Sequence, residues 1–391
     1  MTKTAVVAGG GIAGTVAAIA LHRAGYEPVV HEAYPRGSDG RGAFLTVAVN
    51  GLAALRTLGL DPAEVLAAGF PTPRLVMSNG AGRRLAELPL GGGPAPDGTV
   101  TTTIKRADLY AALRAAAIRQ GIEIRYEKRL VSLIEKADGV TAGFADGSTA
   151  TGDLLVGADG LHSRVRPLID PAAPAPEYLG LLNAGGFTTA PVEADLDRTP
   201  GRMHMAFGRR CFFGWCVAPD GAVWWFANPP SKRPHAGFTP ATWRAHLLDL
   251  FAGDATPAAA IIRATDQVIG PWDTFDLRRV PVWRTGRAVL TGDAAHAVAP
   301  SSGQGASMAI EDAVVLGQCL AGGRDVPGAL AEYEQRRRAR VEKVVIAGRR
   351  NGSGKAAGPA GAWVRDLVMP ALMRRLYRNG DPQSWIFDYR L

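Results

Sequence analysis

The chain has 391 residues, 47% hydrophobic and 20% charged, a globular composition long enough for two domains or one large interleaved unit. A formal net charge of +8 invites a nucleic-acid reading. Much of that excess sits at Arg336-Arg337-Arg338, Arg340 and Arg349-Arg350, a helical-looking run whose plainer explanation is a solvated face. No stretch approaches the roughly 18 apolar residues of a membrane span. Cys211, Cys216 and Cys319 are too scattered for a disulfide framework, and the seven histidines show no metal-ligand spacing. Met1-Thr2-Lys3 runs straight into an apolar strand without a secretory leader. The expectation is a cytoplasmic protein with no metal, no nucleic-acid partner and no membrane span.

Thr4 to Ala8 reads as a buried strand, Ala13 to Ala24 as a helix stopped at Gly25, and Pro28 to His31 as a second strand. This βαβ opening predicts a parallel sheet. After the loop Gly91-Gly92-Gly93-Pro94 come a strand at Thr101 to Ile104 and an amphipathic helix from Ala107 to Gln120. Glu123 to Tyr126, Leu130 to Ile134 and Gly139 to Phe144 predict an antiparallel set, with Asp146-Gly147 as a turn. Asp153 to Val156 and Arg287 to Leu290 have the unbroken apolar texture of fully buried strands. Between them, residues 180–230 alternate strand-like runs with turns and concentrate Phe and Trp, which predicts a second sheet packed against something large and flat. A helix is expected from Ala306 to about Leu320, and residues 351–361 read as a glycine-rich loop. The stretch from Trp363 to Tyr377 has an apolar helical face interrupted by Pro370, and is expected to pack over the second sheet rather than on a membrane.

Three segments carry chemistry. Gly9-x-Gly11-x-x-Gly14 follows a strand and opens a helix at Ile12 and Ala13, and Glu32 closes the next strand 18 residues later. Glycines there allow a tight turn, close approach to a pyrophosphate and helix-on-strand packing, while the acid can accept from ribose hydroxyls. Val156-Gly157-Ala158-Asp159-Gly160 ends a buried strand, with Ser163, Arg164 and Arg166 following at helical spacing. Finally, Thr291-Gly292-Asp293 delivers an acid to a strand end, and Pro300-x-x-Gly303-Gln304-Gly305-Ala306 opens an apolar helix whose free N–H groups suit an anion such as a reduced flavin.

In this order and spacing, from about Thr4 to Arg350, the segments resemble the para-hydroxybenzoate hydroxylase family of single-component FAD monooxygenases. The resemblance implies an α/β fold: a discontinuous Rossmann-like FAD-binding domain (1–75, 100–178 and 275–325), with a parallel sheet and an antiparallel β addition. A mixed-sheet substrate domain (76–99 and 179–274) would interleave with it, followed by a C-terminal helical segment (326–391). It places the ADP half of FAD on Gly9, Gly11, Gly14 and Glu32, the pyrophosphate on Asp159, Gly160 and Arg106, and the adenine by the Leu130 backbone. The ribityl chain falls to Asp293, and the isoalloxazine to the Gly40-Arg41-Gly42 segment and the Pro300 loop. The family usually has arginine directly after the ribose-binding acid, but Ala33 stands here; Arg36 or Arg41 would substitute.

The implied activity is hydroxylation or epoxidation of a small aromatic or polycyclic substrate, using O₂ and NADPH or NADH through a flavin C4a-hydroperoxide. The protein would be a monomer or homodimer. Only one dinucleotide fingerprint is present, which fits a nicotinamide that binds without its own domain. No side chain stands out as an obligatory acid or base; His204 and His296 qualify by type alone. His204, Phe213, Trp215 and Trp225 are the expected pocket wall. The alternatives are a flavin-dependent halogenase, whose Trp-x-Trp-x-Ile-Pro signature is missing, another FAD oxidoreductase, or a non-catalytic flavin- or ligand-binding protein.

Overall fold

In the computed structural model the description covers residues 3–36, 42–234, 237–353 and 359–391. With strands and helices numbered in chain order, a five-stranded sheet runs β18 (Ala288–Leu290), β12 (Leu154–Gly157), β1 (Lys3–Ala8), β2 (Tyr26–His31), β8 (Glu123–Arg125), every neighbour parallel. Parallel pairing requires crossovers, and two helices supply them: α1 (Ile12–Arg23) joins β1 to β2, and α4 (Arg106–Arg119) returns the chain to the far edge. That return corrects one expectation. Glu123 to Arg125 joins the parallel sheet beside β2 instead of an antiparallel set, because α4 has already carried the chain back across the face.

The antiparallel addition consists of β9 (Leu130–Glu135), β10 (Val140–Phe144) and β11 (Thr149–Gly152). A small sheet of β3 (Phe44–Val47), β7 (Thr102–Lys105) and β4 (Phe70–Pro71) leads into α4. Helix α9 (Gly305–Ala321) packs on α1, where a Cβ on Gly317 would lie 3.1 Å from Ala20 Cβ. Glycine at that point lets the two backbones close together.

The second sheet has seven strands in the order β17 (Ile269–Asp276), β13 (Glu177–Thr188), β16 (Val223–Asn228), β15 (Phe212–Val217), β14 (Arg202–Phe207), β5 (Arg74–Asn79), β6 (Arg84–Pro89). Only β14 and β5 pair parallel. One face lies under α6 (Pro240–Phe251) and α7 (Ala258–Ala264), whose Trp243, Leu247 and Ile261 are buried with Phe213 and Trp225.

Short helices α2 (Val49–Thr57), α3 (Pro62–Val65), α5 (Val165–Ile169) and α8 (Asp293–His296) punctuate the loops. At the end of the chain, α10 (Val326–Ser353) extends into the stretch read as a glycine-rich loop, and residues 354–358 lie outside the described residues. Then α11 (Pro359–Leu376) runs through Pro370 without a break and rests on β6, its Asp366 accepting from Asn79 Nδ2 at 2.7 Å. The last helix is α12 (Ser384–Phe387). No helix among the described residues is long and apolar enough to cross a membrane.

Candidate active site

All five parallel strands end at one edge, and every segment singled out by motif leaves from that edge. After β1, Gly9 has φ +104°, and a Cβ there would lie 2.4 Å from the Ala158 carbonyl oxygen. A Cβ on Gly14 would come within 1.9 Å of the Gly9 carbonyl oxygen. Packing of the loop on its neighbours therefore demands both glycines. Gly11 is different: its Cβ would meet only Tyr110 Oη, at 3.9 Å, so this side of the loop is open. Ile12 and Ala13 begin α1 with no side-chain cap and no acid in the first turn. The amide protons of that turn are left for an anion.

Glu32 follows β2 and is buried, its Oε2 accepting from the Gly10 amide at 2.7 Å and Oε1 from the Tyr34 amide at 2.9 Å. The Lys128 amide donates to the Glu32 carbonyl at 2.8 Å, which brings Leu130, buried at the start of β9, to the same end of the edge. Arg36 stacks over Tyr126, 5.9 Å from its centroid, while Arg41 lies outside the described residues.

Helix α4 brings three further groups. Arg106 Nε donates to Tyr110 Oη at 2.8 Å, and buried Arg114 donates from Nε and Nη2 to the Gly10 carbonyl at 3.0 and 2.9 Å. Desolvation works against the Arg106 charge, but Tyr110 and Asp293 outweigh it. Gly42, at φ +99°, packs on this arginine, with Arg106 Cδ 3.3 Å from where its Cβ would stand. Motif reading misses Tyr110 and Arg114. Their signal is spacing: with Arg106 they recur every four residues, one face of a helix.

The Asp-Gly segment turns inward. Asp159 accepts from Ser163 Oγ at 2.5 Å and from the amides of Arg164 and Val165 at 2.6 and 3.1 Å, so its carboxylate shapes its own loop. Gly160, at φ +80°, makes the turn and presents backbone to the edge. Buried Arg166 then donates to the Leu161 carbonyl at 2.9 Å and the Ala294 carbonyl at 3.0 Å, joining this segment to the Gly-Asp one.

Past β18, a Cβ on Gly292 would sit 2.6 Å from Ala13 Cβ, so half-buried Asp293 emerges beside the start of α1. A buried polar network backs it. Asp312 accepts from the Gly292 amide at 3.0 Å and Arg337 Nε at 2.7 Å, and His296 Nε2 lies 2.5 Å from it. Burial opposes the Asp312 charge, yet His296 and Arg337 hold its carboxyl well below the usual range. Next to it, Glu311 meets Asn50 Nδ2 and Arg340 Nη2 at 2.7 Å and Arg337 Nη1 at 2.8 Å. Asn50 also donates to Gln304 at 3.0 Å, which ties the network to the Pro300 loop. In that loop Gly303 has φ +61°, and Gly305 and Ala306 open α9 uncapped and without an acid in the first turn.

Two corrections follow. The arginine run of α10 is not a solvated face: Arg337 is fully buried, Arg340 Nη2 pairs with Glu311, and Arg349 pairs with Asp276 and Glu177. Two adjacent carboxylates on α9 draw that face inward. The aromatic wall is also displaced by one residue. His204, Phe213, Trp215 and Trp225 share the sheet face covered by α6 and α7, where His204 stacks on Trp215 at 4.6 Å and Trp225 Nε1 donates to Thr265 at 2.9 Å. Strand alternation turns the other set toward the small sheet that holds β3: Trp224, Phe226 and Phe187 meet Phe44 at 5.7, 5.8 and 6.4 Å. Lys105 Nζ sits 5.0 Å over Phe187 and 5.3 Å over Trp224.

Towards the Pro300 loop this inner face becomes polar and borders a cavity of about 250 Å³. Leu181, Asn183, Asn228 and Thr274 line it from the sheet, Pro300 from the loop and Arg349 from α10.

The cradle thus has, in sequence along one edge, an acid, an open glycine turn at a helix N-terminus, a cation, a second acid and a second helix N-terminus. That donor set fits a long dianionic dinucleotide with a flavin at the Pro300 end. A family model described as FAD binding domain matches residues 1–347. The aurachin C monooxygenase/isomerase of Stigmatella aurantiaca is 34% identical over 370 residues, 94% of this chain and 93% of that one. The FAD-dependent urate hydroxylase of Klebsiella pneumoniae is 34% identical over 372 residues, 93% and 94% of the two chains. The crystal structure of Klebsiella pneumoniae HpxO complexed with FAD and uric acid superposes with a TM-score of 0.80 at 29% identity, covering 99% of this chain and 95% of that one. The chain belongs to this family of FAD-dependent aromatic hydroxylases. It is an FAD-binding monooxygenase.

Proposed function

We propose that the protein hydroxylates a small aromatic or heteroaromatic substrate with O₂ and NADPH or NADH. The substrate lies between the inner face of the mixed sheet and the Pro300 loop. The observation that carries this is the convergence of the Gly9–Gly14, Asp293 and Pro300–Ala306 segments on one sheet edge, with a cavity beside the last of them. Bound FAD supplies the redox chemistry and the activation of oxygen.

The chain's own groups bind, orient and exclude water. Glu32 receives the adenosine ribose, and the Leu130 backbone flanks the adenine. The α1 N-terminus at Gly11, Ile12 and Ala13 takes the pyrophosphate, with Arg106 as counter-charge and Gly160 offering backbone. Asp293 would hold the ribityl chain, and the uncapped Gly303–Ala306 turn would offer its amide protons to the flavin ring. Trp224, Phe226 and Phe44 form a dry wall, which such oxygen chemistry requires. The FAD-binding part is discontinuous and the substrate part inserts into it. Three free, buried cysteines suit a reducing, cytoplasmic setting.

The test is direct. The purified protein is scanned for a flavin spectrum, then supplied with NADPH or NADH and a panel of phenols and N-heteroaromatics under labelled O₂. A product heavier by one labelled oxygen atom is expected. A flavin-free protein that takes up no added FAD, or product formation that depends on halide, would overturn the reading.

A further inference from the structure

Helix α11 rests on the β5–β6 hairpin by one side. Asp366 accepts from Asn79 Nδ2 at 2.7 Å, and the Arg83 guanidinium donates to the Asp366 carbonyl. Arg365 closes on Asp366 Oδ1 at 2.8 Å and on the Phe207 ring at 4.7 Å. Half-buried Met369, Pro370 and Met373 continue that inner side along the helix.

The outer side carries the wrong residues for water. Val364, Leu367, Val368, Leu372 and Leu376 are all exposed, Leu367 by 63%, and they recur at the three- and four-residue spacing of one helix face. Of the twelve large apolar side chains exposed among the described residues, these are five. A water-facing helix side is ordinarily charged, and a contiguous exposed apolar stripe marks a contact surface.

Charge indicates what the stripe meets. Arg374, Arg375 and Arg378, all exposed, follow it at the C-terminal end, and the sequence from Leu367 to Gly380 contains no Asp or Glu. Asp366, the one acid of the helix, is engaged on the inner side. A second copy of this chain docked about a twofold axis would set those guanidiniums against an acid-free stripe or against one another. An anionic bilayer meets both needs. Its acyl boundary takes the leucines, and headgroup phosphates and carboxylates take the arginines, whose long stems reach up from the apolar side.

We infer that α11 docks the protein on the surface of an anionic membrane, lying in the interface plane without crossing it. Leu367, Val368 and Leu372 enter the lipid while Asp366 keeps the helix tied to the hairpin. Because β6 is an edge strand of the mixed sheet, the docked surface belongs to the substrate half of the molecule.

The FAD-loaded full-length protein is floated with vesicles of phosphatidylcholine alone, and of phosphatidylcholine with about one-third phosphatidylserine. At low salt the anionic vesicles should bind about tenfold more protein or better, and added salt should release it. Arg374→Gln combined with Arg375→Gln should weaken binding by about fivefold for each charge lost. Leu367→Glu combined with Leu372→Glu should abolish it. Glutamate is a helix former comparable to leucine, so the flavin spectrum, melting temperature and nicotinamide oxidation should stay at wild-type values. If the leucine pair unfolds, the arginine pair carries the test alone. Absence of vesicle binding, or binding equal in wild type and variants, overturns the proposal. A dimer in light scattering that the leucine substitutions break, with no vesicle binding, assigns the stripe to a second copy instead.

Discussion

Arg166, buried behind the Asp-Gly turn, donates to the Ala294 carbonyl at 3.0 Å and so fastens together two cofactor loops 128 residues apart. Burial depresses the basicity of its guanidinium. Hydrogen bonds to charged groups contribute about 1.5–3 kcal/mol each. Arg166→Met is expected to raise the FAD dissociation constant about tenfold or more and to lower the melting temperature of the apoprotein. Unchanged FAD affinity by fluorescence titration would count against a clamping role.

The glycine turn offers a paired test. Gly14→Ala places a Cβ against the Gly9 carbonyl at 1.9 Å, so the loop must rearrange and the apoprotein should melt several degrees lower. Gly11→Ala meets only Tyr110 Oη at 3.9 Å and should leave the apoprotein melting temperature unchanged. Its methyl group fills the open side of the turn, however, and FAD affinity should fall about tenfold or more. Equal FAD affinity for Gly11→Ala and wild type would move the pyrophosphate elsewhere.

The carboxylates of α9 predict a cost. Removing one member of a buried ion pair costs about 3–5 kcal/mol. Arg337→Met takes from Glu311 and Asp312 the one guanidinium they share beneath the Pro300 loop, leaving Glu311 to Arg340 and Asp312 to His296. Urea denaturation should show a loss of that size, together with weaker FAD binding. A loss under about 1 kcal/mol would contradict the pairing.

Acid sensitivity should trace in part to His31. It stacks on Phe144 at 4.5 Å, and both ring nitrogens are buried without a hydrogen-bond partner among the described residues. Burial first, then Arg125, lower its pKa to about 4. The unfolded chain therefore binds a proton near pH 6.5 that the folded chain refuses until about pH 4. Stability is full above that window and falls as pH drops through it. Buried His204 is lowered in the same direction and adds to the slope. The melting temperature should decline from pH 6.5 towards 4, and less steeply in His31→Phe; an identical slope in that variant would be the contrary result.

Glycine spacing and strand-end acids carry most of the cofactor cradle, since Gly9, Gly14, Glu32 and Asp293 answer to local backbone needs that a sequence displays. Arg114 and the Glu311–Arg337 pair were hidden because their partners lie 104 and 26 residues away. A helical arginine looks identical whether it meets water or a buried carboxylate. The aromatic wall was legible as a sheet but not by face. Both faces of β15 and β16 are apolar, so period-two alternation did not distinguish Trp224 from Trp225. Glu123 to Arg125 reads as a strand, yet nothing within three residues states its direction.

The long helix α10 acts as a keystone. Cutting the gene after residue 325 would appear to release a tidy nucleotide module, but it would withdraw Arg337 and Arg340 from Glu311 and Asp312. Two bare anions would then sit under the very turn meant to receive an electron-rich ring. In this chain the nucleotide-binding half and the helix that follows it are therefore coupled through buried charge.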